Sequence, residues 1–239
     1  MKSENVTPPT KKSLDKERYN RRKFLSALGI GAAGVSLLSS CERNDWYDQF
    51  KDNKDGATLD FKDDIGVLNY AYALEQLEAA FYTQVAANPA SGFTAAQKAY
   101  FMDVQYHEIA HREFFKKALG ANAIGSLEVD FSSINFSDAA SVLAAAKTFE
   151  DLGVAAYNGA GVRLTTDAYL VIAGQIVSVE ARHAAWVRDQ ISNGSFADLN
   201  DLSALGSNNS GGLDGALTPD KVLPLAANYI KTKINVINL

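Results

Sequence analysis

The sequence predicts an all-α fold, a four-helix bundle in which a long crossover joins the second and third helices. Four long, alanine-rich segments read as helices. Short loops separate the first from the second and the third from the fourth, whereas the longer segment 120–137 separates the middle pair. Two antiparallel helix pairs joined by a crossover form a known bundle topology. A short C-terminal helix is expected in addition.

Helix 1 is predicted from about Asp63 to Ala86, because acidic residues at its start are favourable at a helix N-terminus. A loop at 88–92 follows, containing Asn-Pro and Ser-Gly pairs. Thr94 is a suitable N-cap for helix 2. This helix is predicted to end near Leu119, with Gly120 past its end.

The crossover mixes glycine, serine and asparagine with large apolar residues, so we expect it to pack along the bundle. Ser137 or Asp138 can cap helix 3. The helix is predicted to continue to about Asn158, where Gly159 and Gly161 are expected to break it.

Thr166 or Asp167 can cap helix 4, which is predicted to reach about Ser192. The following segment 195–216 is rich in Asn, Ser, Gly and Asp and is expected to be mobile. A threonine and a proline then predict the short last helix near 219–230. The bundle is therefore assigned to residues 61–194, and residues 195–239 to a flexible segment with this helix.

Residues 1–40 have the features of an export signal. Arg21 and Arg22 are adjacent, and a mildly apolar run extends from Phe24 to Leu38. That run is too short for a membrane-spanning helix, which favours a secretory signal. The pattern resembles twin-arginine signals, a bacterial address.

Cys41 directly follows Leu38-Ser39-Ser40, an arrangement that resembles the lipobox of bacterial lipoproteins. We expect Cys41 to become the lipidated first residue of the mature protein, although a stray or buried thiol is the alternative. It is the only cysteine, so a lipidated Cys41 leaves no disulfide. The polar segment 41–60 is predicted to tether the lipid to the bundle.

The charge balance argues against a nucleic-acid partner. Residues 1–40 hold eight Lys or Arg and three Asp or Glu, whereas the whole chain has a net charge of −5. The chain without this signal therefore has a net charge near −10. No basic cluster follows residue 41, so nucleic-acid binding is not expected.

Two Glu-x-x-His pairs are the strongest indication of chemistry. Glu108 and His111 lie on helix 2, and Glu180 and His183 lie on helix 4 within an apolar run. Residues three apart share a helix face, so each pair points in one direction. Because a buried carboxylate needs a partner, such pairs on two helices of a bundle predict half of a two-metal site. Surface ion pairs are the alternative.

The other two helices each need to supply a glutamate. Helix 3 offers the adjacent acids Glu150 and Asp151, with Glu150 better placed, and helix 1 offers Glu75 or Glu78. Glu75 is preferred, because its distance from the loop between helices 1 and 2 is closer to that of Glu108.

Two tyrosines follow these glutamates at a spacing of seven. Tyr82 follows Glu75 and Tyr157 follows Glu150, so each tyrosine can share a face with its glutamate. One hypothesis is that these tyrosines are redox-active neighbours of the metals. The favoured interpretation is that they are aromatic residues of the bundle whose hydroxyl is a polar tip.

The chain resembles the ferritin-like superfamily and, within it, the desiccation-related ferritin-like proteins. The resemblance covers about 58–193 and is carried by the segments 74–79, 107–111, 149–157, 159–161 and 179–183. It implies that six residues hold two iron or manganese ions, with Glu78 as a substitute for Glu75. The six are Glu75, Glu108, His111, Glu150, Glu180 and His183.

Other functions are also compatible with the sequence. His107, Glu108 and His111 form H-E-x-x-H, the zinc-protease motif, but this reading leaves the pair on helix 4 unexplained. A non-enzymatic envelope protein, with a stress-protective or interaction role, is a further alternative.

The favoured prediction is an exported, lipid-anchored protein with a carboxylate-bridged di-iron or di-manganese centre. Its function would be iron handling or chemistry with oxygen or peroxide. An enzyme of this kind would be an oxidoreductase, ferroxidase-like or peroxidase- or catalase-like. The expected partners are the membrane, through the lipid on Cys41, and the twin-arginine export machinery, and a homodimer is a candidate assembly. The expected location is the periplasm or outer membrane of a bacterium.

Overall fold

The computed structural model describes residues 56–239 and has a bundle of four long helices at its centre. Helix α1 (Asp64–Ala87) packs chiefly against α2 (Ala95–Leu119), and α3 (Ala139–Gly161) packs against α4 (Asp167–Ile191). Contacts between α1 and α3 join the two pairs. The predicted all-α bundle is confirmed.

Side-chain caps determine where three of these helices begin. The Asp63 carboxylate accepts hydrogen bonds from the backbone at the start of α1, and that of Asp138 does so for α3. Thr94 and Gln97 form a reciprocal capping box at the start of α2. Because each cap satisfies amide groups that the helix itself leaves free, the predicted starts agree with the structure.

The expected break in α3 at Gly159 does not occur, because the helix continues to Gly161. A Cβ atom on Gly159 would lie 1.9 Å from the carbonyl oxygen of Leu217. The backbone amide of Leu217 also donates a 2.9 Å hydrogen bond to the carbonyl of Ala155. The glycine therefore allows the C-terminal segment to contact the helix backbone, rather than ending the helix.

The crossover packs on the bundle as predicted. The ring of Phe81 on α1 lies 5.9 Å from that of Phe131 and 5.8 Å from that of Phe136, both in the crossover. Asn69 accepts a 2.8 Å hydrogen bond from the Ile124 amide, and Gln76 bonds the crossover backbone in a similar way. Buried amide side chains of α1 thus hold the crossover in place.

The segment 195–216 forms two 3-10 helices, Ser195–Ala197 and Leu199–Leu205. A bond from the Asn158 side chain to the carbonyl of Gly215 connects this segment to α3. Helix α5 (Pro219–Ala226) follows near its predicted position and continues into a 3-10 turn.

The structure contains a small parallel sheet that was not predicted from the sequence. Strand β1 (Ala57–Asp60) pairs with β2 (Ile234–Ile237), in a register that places Ala57 opposite Ile234. Leu59 is fully buried in this sheet. The last residues assigned to a polar tether therefore belong to the folded domain.

Residues 1–55, which include the predicted signal and Cys41, lie outside the described residues. Within residues 56–239, no helix combines the length and hydropathy that a bilayer crossing needs.

Candidate metal centre

Each of the four long helices places one fully buried glutamate at the centre of the bundle. Glu75 comes from α1, Glu108 from α2, Glu150 from α3 and Glu180 from α4, and all four are 0% exposed. Removing a charged carboxylate from water costs several kcal/mol, and each of the four glutamates carries this cost. The four negative charges also repel one another. Four converging carboxylates therefore require cations or protons.

The first group of ligand atoms surrounds His111. Its Nδ1 atom lies 2.8 Å from Oε1 of Glu180. The same nitrogen lies 3.5 Å from Oε2 of Glu75 and 3.5 Å from Oε2 of Glu108. Three of the four helices thus meet at one histidine nitrogen.

The second group surrounds His183. Its Nδ1 atom lies 3.0 Å from Oε1 of Glu108. Oε2 of Glu150 and Oε2 of Glu180 each lie 3.4 Å from this nitrogen. This group therefore draws on α2, α3 and α4.

Glu108 and Glu180 belong to both groups, and each offers one oxygen to each histidine. In each group the four ligand atoms lie within 4.8 Å of one another. Two ligands on opposite sides of an ion, each about 2.1 Å from it, lie about 4.2 Å apart, so the groups have the right size. All six side chains predicted from the sequence are thus brought together in two adjacent metal-sized groups.

The donor atoms in these groups lack ordinary partners. Within residues 56–239, buried oxygens of all four glutamates and Nδ1 of both histidines have no hydrogen bond of acceptable geometry, despite their short separations. Native proteins leave few buried polar groups in this state. Carboxylate and imidazole donors suit iron, manganese and zinc, and four carboxylates beside two neutral histidines balance two divalent cations. The cluster therefore fits two metal ions.

The protonation of the cluster reflects this crowding. Burial raises the pKa of Glu108, and repulsion by Glu180 adds to the effect. Burial also raises the pKa of Glu150. For Glu180, burial raises the pKa, but contacts with His111 and His183 outweigh it, so its pKa is lowered. Burial lowers the pKa of His111 and His183, but the carboxylates that face them outweigh burial and raise both pKa values, which favours the protonated histidines when no metal ion is bound.

Two tyrosines connect α1 and α3 across the centre. The hydroxyl of Tyr157 on α3 donates a hydrogen bond to Oε1 of Glu75 on α1. The hydroxyl of Tyr82 on α1 donates one to Oε1 of Glu150 on α3. Both tyrosines face the centre as the spacing predicted, but each bonds the glutamate of the other helix.

Glu78 lies outside both groups. It is buried, and burial together with the charges of Glu180 and other carboxylates raises its pKa well above the usual value, which favours the neutral acid. Its Oε1 would lie 2.9 Å from a Cβ atom on Gly153, so this glycine on α3 leaves room for it. Glu75, rather than Glu78, contributes an oxygen to the cluster.

Asp151, the neighbour of Glu150, points in another direction. Its carboxylate accepts two hydrogen bonds from Arg188 on α4, with distances of 2.8 and 3.0 Å. Arg188 is itself buried and also contacts Asp201 in the C-terminal segment. The two adjacent acids of α3 therefore have different partners, one in the cluster and one in a structural ion pair.

His107 contacts His183, and this contact was not predicted from the sequence. Its Nδ1 lies 2.9 Å from Nε2 of His183, and the two rings are nearly parallel. With Nδ1 of His183 facing the glutamates, its Nε2 is the nitrogen left to hydrogen bond with His107, and such a partner orients a ligand ring. His107 belongs to neither group, so the structure does not gather the three residues of the zinc-protease motif.

Tyr100 and Trp186 connect α2 and α4 beside this histidine contact. Their rings stack with centroids 3.4 Å apart, and the Tyr100 hydroxyl donates a 3.1 Å hydrogen bond to the carbonyl of His183. These aromatic side chains therefore join α2 and α4 next to the contact between His107 and His183.

Comparison with known proteins agrees with this geometry. The family model of the ferritin-like domain matches residues 63–193, more than half of the chain. This range includes all four long helices and all six residues of the cluster, ending just past α4. No curated protein matches the chain.

Proposed function

The chain belongs to the ferritin-like domain family, and from this premise we propose that its buried cluster holds two iron or manganese ions. Glu108 and Glu180 are the proposed bridging ligands. Glu75 with His111, and Glu150 with His183, complete the two ends.

The observation that carries this proposal is the sharing of Glu108 and Glu180 between the two groups. One metal would need one group only, and surface ion pairs would not place four glutamates in the core at 0% exposure. Each of these two carboxylates directs one oxygen at His111 and the other at His183, which suits it to bridge two cations.

When bound, iron or manganese would supply redox chemistry toward oxygen or peroxide. The chain's own residues prepare the site for this. Tyr157 and Tyr82 each hold one oxygen of a terminal glutamate, so that its other oxygen faces the histidines. His107 orients His183. An oxidoreductase of the ferroxidase or peroxidase type, or a protein that handles iron, is the resulting proposal.

The proposed location of the protein rests on sequence motifs alone. The twin arginine Arg21-Arg22 and the lipobox-like segment before Cys41 support export and a lipid anchor in a bacterial envelope. Twin-arginine routes carry folded proteins, which would allow the metals to be loaded before export.

The test is metal content of the purified full chain after reconstitution with Fe(II) or Mn(II). We expect two ions per chain in the natural protein, and loss of metal in Glu108→Ala and His183→Ala variants. Glu113→Ala is the matched control, because Glu113 is an exposed glutamate on α2. Fe(II) oxidation and peroxide consumption would then be measured on the loaded protein.

Two other outcomes would contradict the proposal. No bound metal after reconstitution would favour a non-enzymatic bundle with a protective or interaction role. One zinc ion per chain that persists in the His183→Ala variant would favour the zinc-protease motif.

A further inference from the structure

The two halves of the cluster are related by a local twofold symmetry. Nδ1 of His111 on α2 lies 2.8 Å from Oε1 of Glu180 on α4, and Nδ1 of His183 on α4 lies 3.0 Å from Oε1 of Glu108 on α2. The tyrosine bonds follow the same symmetry, because each joins a tyrosine of α1 or α3 to the glutamate of the other helix. Two positions built in this way should bind a metal ion equally well unless a neighbouring residue differs.

One pair of residues breaks this symmetry. The residue before the glutamate of the Glu-x-x-His pair is His107 on α2 but Val179 on α4. Gln97, near the start of α2, donates a 3.3 Å hydrogen bond to Gln190, near the end of α4, so the two helices are antiparallel. The symmetry that exchanges the two cluster histidines therefore also exchanges His107 with Val179.

The outer nitrogen of His183 has a protein partner. Because Nδ1 of this ring faces the carboxylates, Nε2 carries a proton, and it lies 2.9 Å from Nδ1 of His107. The His183 side chain is only 4% exposed. A hydrogen-bond partner of this kind fixes the orientation of a ligand ring and makes its metal-facing nitrogen a stronger donor.

The outer nitrogen of His111 lacks such a partner. Its Nε2 makes no hydrogen bond to any of the residues 56–239, and its side chain is 14% exposed. The symmetry places Val179 where His107 stands in the other half, and the apolar side chain of valine cannot accept a hydrogen bond. Solvent is therefore the partner left to this nitrogen.

We propose that the two metal positions are unequal, and that the position at His183 binds its ion more tightly than the position at His111. This inference rests on the proposed metal centre. The loss of an outer partner typically costs about 10–100-fold in affinity, which is the difference expected between the positions. Repulsion between two ions also weakens the second one, but it favours neither histidine. The difference between His107 and Val179 assigns the first ion to His183.

A zinc titration followed by NMR of ¹⁵N-labelled histidine tests which position fills first. Zinc binds to carboxylate and imidazole donors and is diamagnetic, so the signals stay sharp. The full chain has three histidines, and substituting each in turn assigns its signals. After EDTA treatment, we expect the Nδ1 signal of His183 to change with the first equivalent of zinc. The Nδ1 signal of His111 should change chiefly with the second.

Val179→His supplies the partner that His111 lacks. It should raise the affinity for the second ion about tenfold or more, measured by competition with a chelator, so that the two histidine signals change together. Val179→Leu is the matched control, because it keeps the position apolar and should preserve the natural order.

His107→Ala tests the same explanation from the other half of the cluster. It removes the partner of His183, so it should weaken the first ion about 10–100-fold and also make the two positions alike. Circular dichroism identifies any variant that fails to fold, and either of the two variants is sufficient for the test.

Two results would overturn the proposal and leave the metal centre intact. In the first, two zinc ions bind to the natural chain but the two histidine signals change in parallel, or that of His111 changes first. In the second, the natural order persists in folded Val179→His and His107→Ala. Absence of bound zinc would instead contradict the metal centre itself, and this inference with it.

Discussion

The hydroxyl of Tyr157 on α3 donates a hydrogen bond to Glu75 on α1, and this bond crosses the centre of the bundle. The bond from Tyr82 on α1 to Glu150 on α3 runs in the opposite direction. Helices α1 and α3 belong to different hairpins, so the two bonds connect the halves of the bundle at the metal ligands. The tyrosines therefore affect stability as well as the geometry of the site.

Replacing either tyrosine by phenylalanine should destabilise the metal-free protein. Tyr82→Phe and Tyr157→Phe each leave a buried carboxylate oxygen without its donor, which we expect to cost about 1–3 kcal/mol. Urea unfolding of the EDTA-treated chain measures this. Tyr106→Phe is the control, since Tyr106 is 61% exposed, and an equal loss there would contradict the explanation.

His107→Ala should weaken metal binding without changing the number of ions bound. Loss of the contact to Nε2 frees the His183 ring to rotate, and loss of such a partner typically costs about 10–100-fold in affinity. Competition with a chelator measures the affinity. His107→Gln, which keeps a hydrogen-bonding side chain, should recover part of it, and an affinity unchanged in His107→Ala would rule out the orienting role.

The adjacent acids of α3 should behave in opposite ways. Asp151→Ala leaves the buried guanidinium of Arg188 without its main partner, so unfolding free energy should fall by about 3 kcal/mol while metal content is retained. Glu150→Ala should lose metal, and the metal-free protein should not be destabilised as strongly, because one buried charge is removed. Measuring metal content and unfolding for both variants checks this, and metal loss in Asp151→Ala would contradict it.

Two glycine-to-alanine variants should have effects of opposite sign. At Gly159 the new Cβ would collide with the carbonyl of Leu217, so we expect a loss of about 2 kcal/mol or more. Gly174 is an exposed helical glycine with no atom within 4 Å of a new Cβ, so Gly174→Ala should gain up to about 1 kcal/mol. Thermal unfolding distinguishes them, and stabilisation by Gly159→Ala would mean that the C-terminal segment does not pack there.

Asp64 should make stability depend on pH in the acidic range. Burial raises its pKa, but hydrogen bonds from Thr165 and Thr166 outweigh burial, so the pKa is lowered overall. A lowered pKa in the folded state means that the stabilisation is present above the unfolded value of about 3.9 and disappears as the pH falls through the folded value.

Asp64→Asn should therefore cost about 1–2 kcal/mol at pH 7, and the difference from the natural protein should shrink below about pH 4. Urea unfolding at several pH values provides the comparison. Asp103→Asn, which changes an exposed carboxylate of α2, should show little effect at any pH. A difference for Asp64→Asn that grows on acidification would contradict the assignment.

The bundle and its six cluster residues were predictable because they depend on local spacing. A Glu-x-x-His pair fixes two directions on one helix, and the loop lengths fix the relative heights of Glu75 and Glu108. Caps such as Thr94 made the helix starts equally predictable.

Contacts between residues distant in sequence were not predictable in the same way. Nothing in the neighbours of Tyr82 or Tyr157 indicates that each bonds the opposite helix. His107 carries a familiar protease motif, and its contact with His183 arises only when α2 and α4 are side by side. Gly159 was predicted to break α3 because glycine is a poor helix former. Its close approach to Leu217, which lies far along the chain, is visible only in the folded structure.

The parallel pairing of Ala57–Asp60 with Ile234–Ile237 has a consequence for biosynthesis. Strand β1 is synthesised long before β2, so it has no partner until the residues of β2 have left the ribosome. Leu59 cannot take its buried position before then. A chain truncated before Ile234 therefore lacks the partner of β1 and leaves this sheet open.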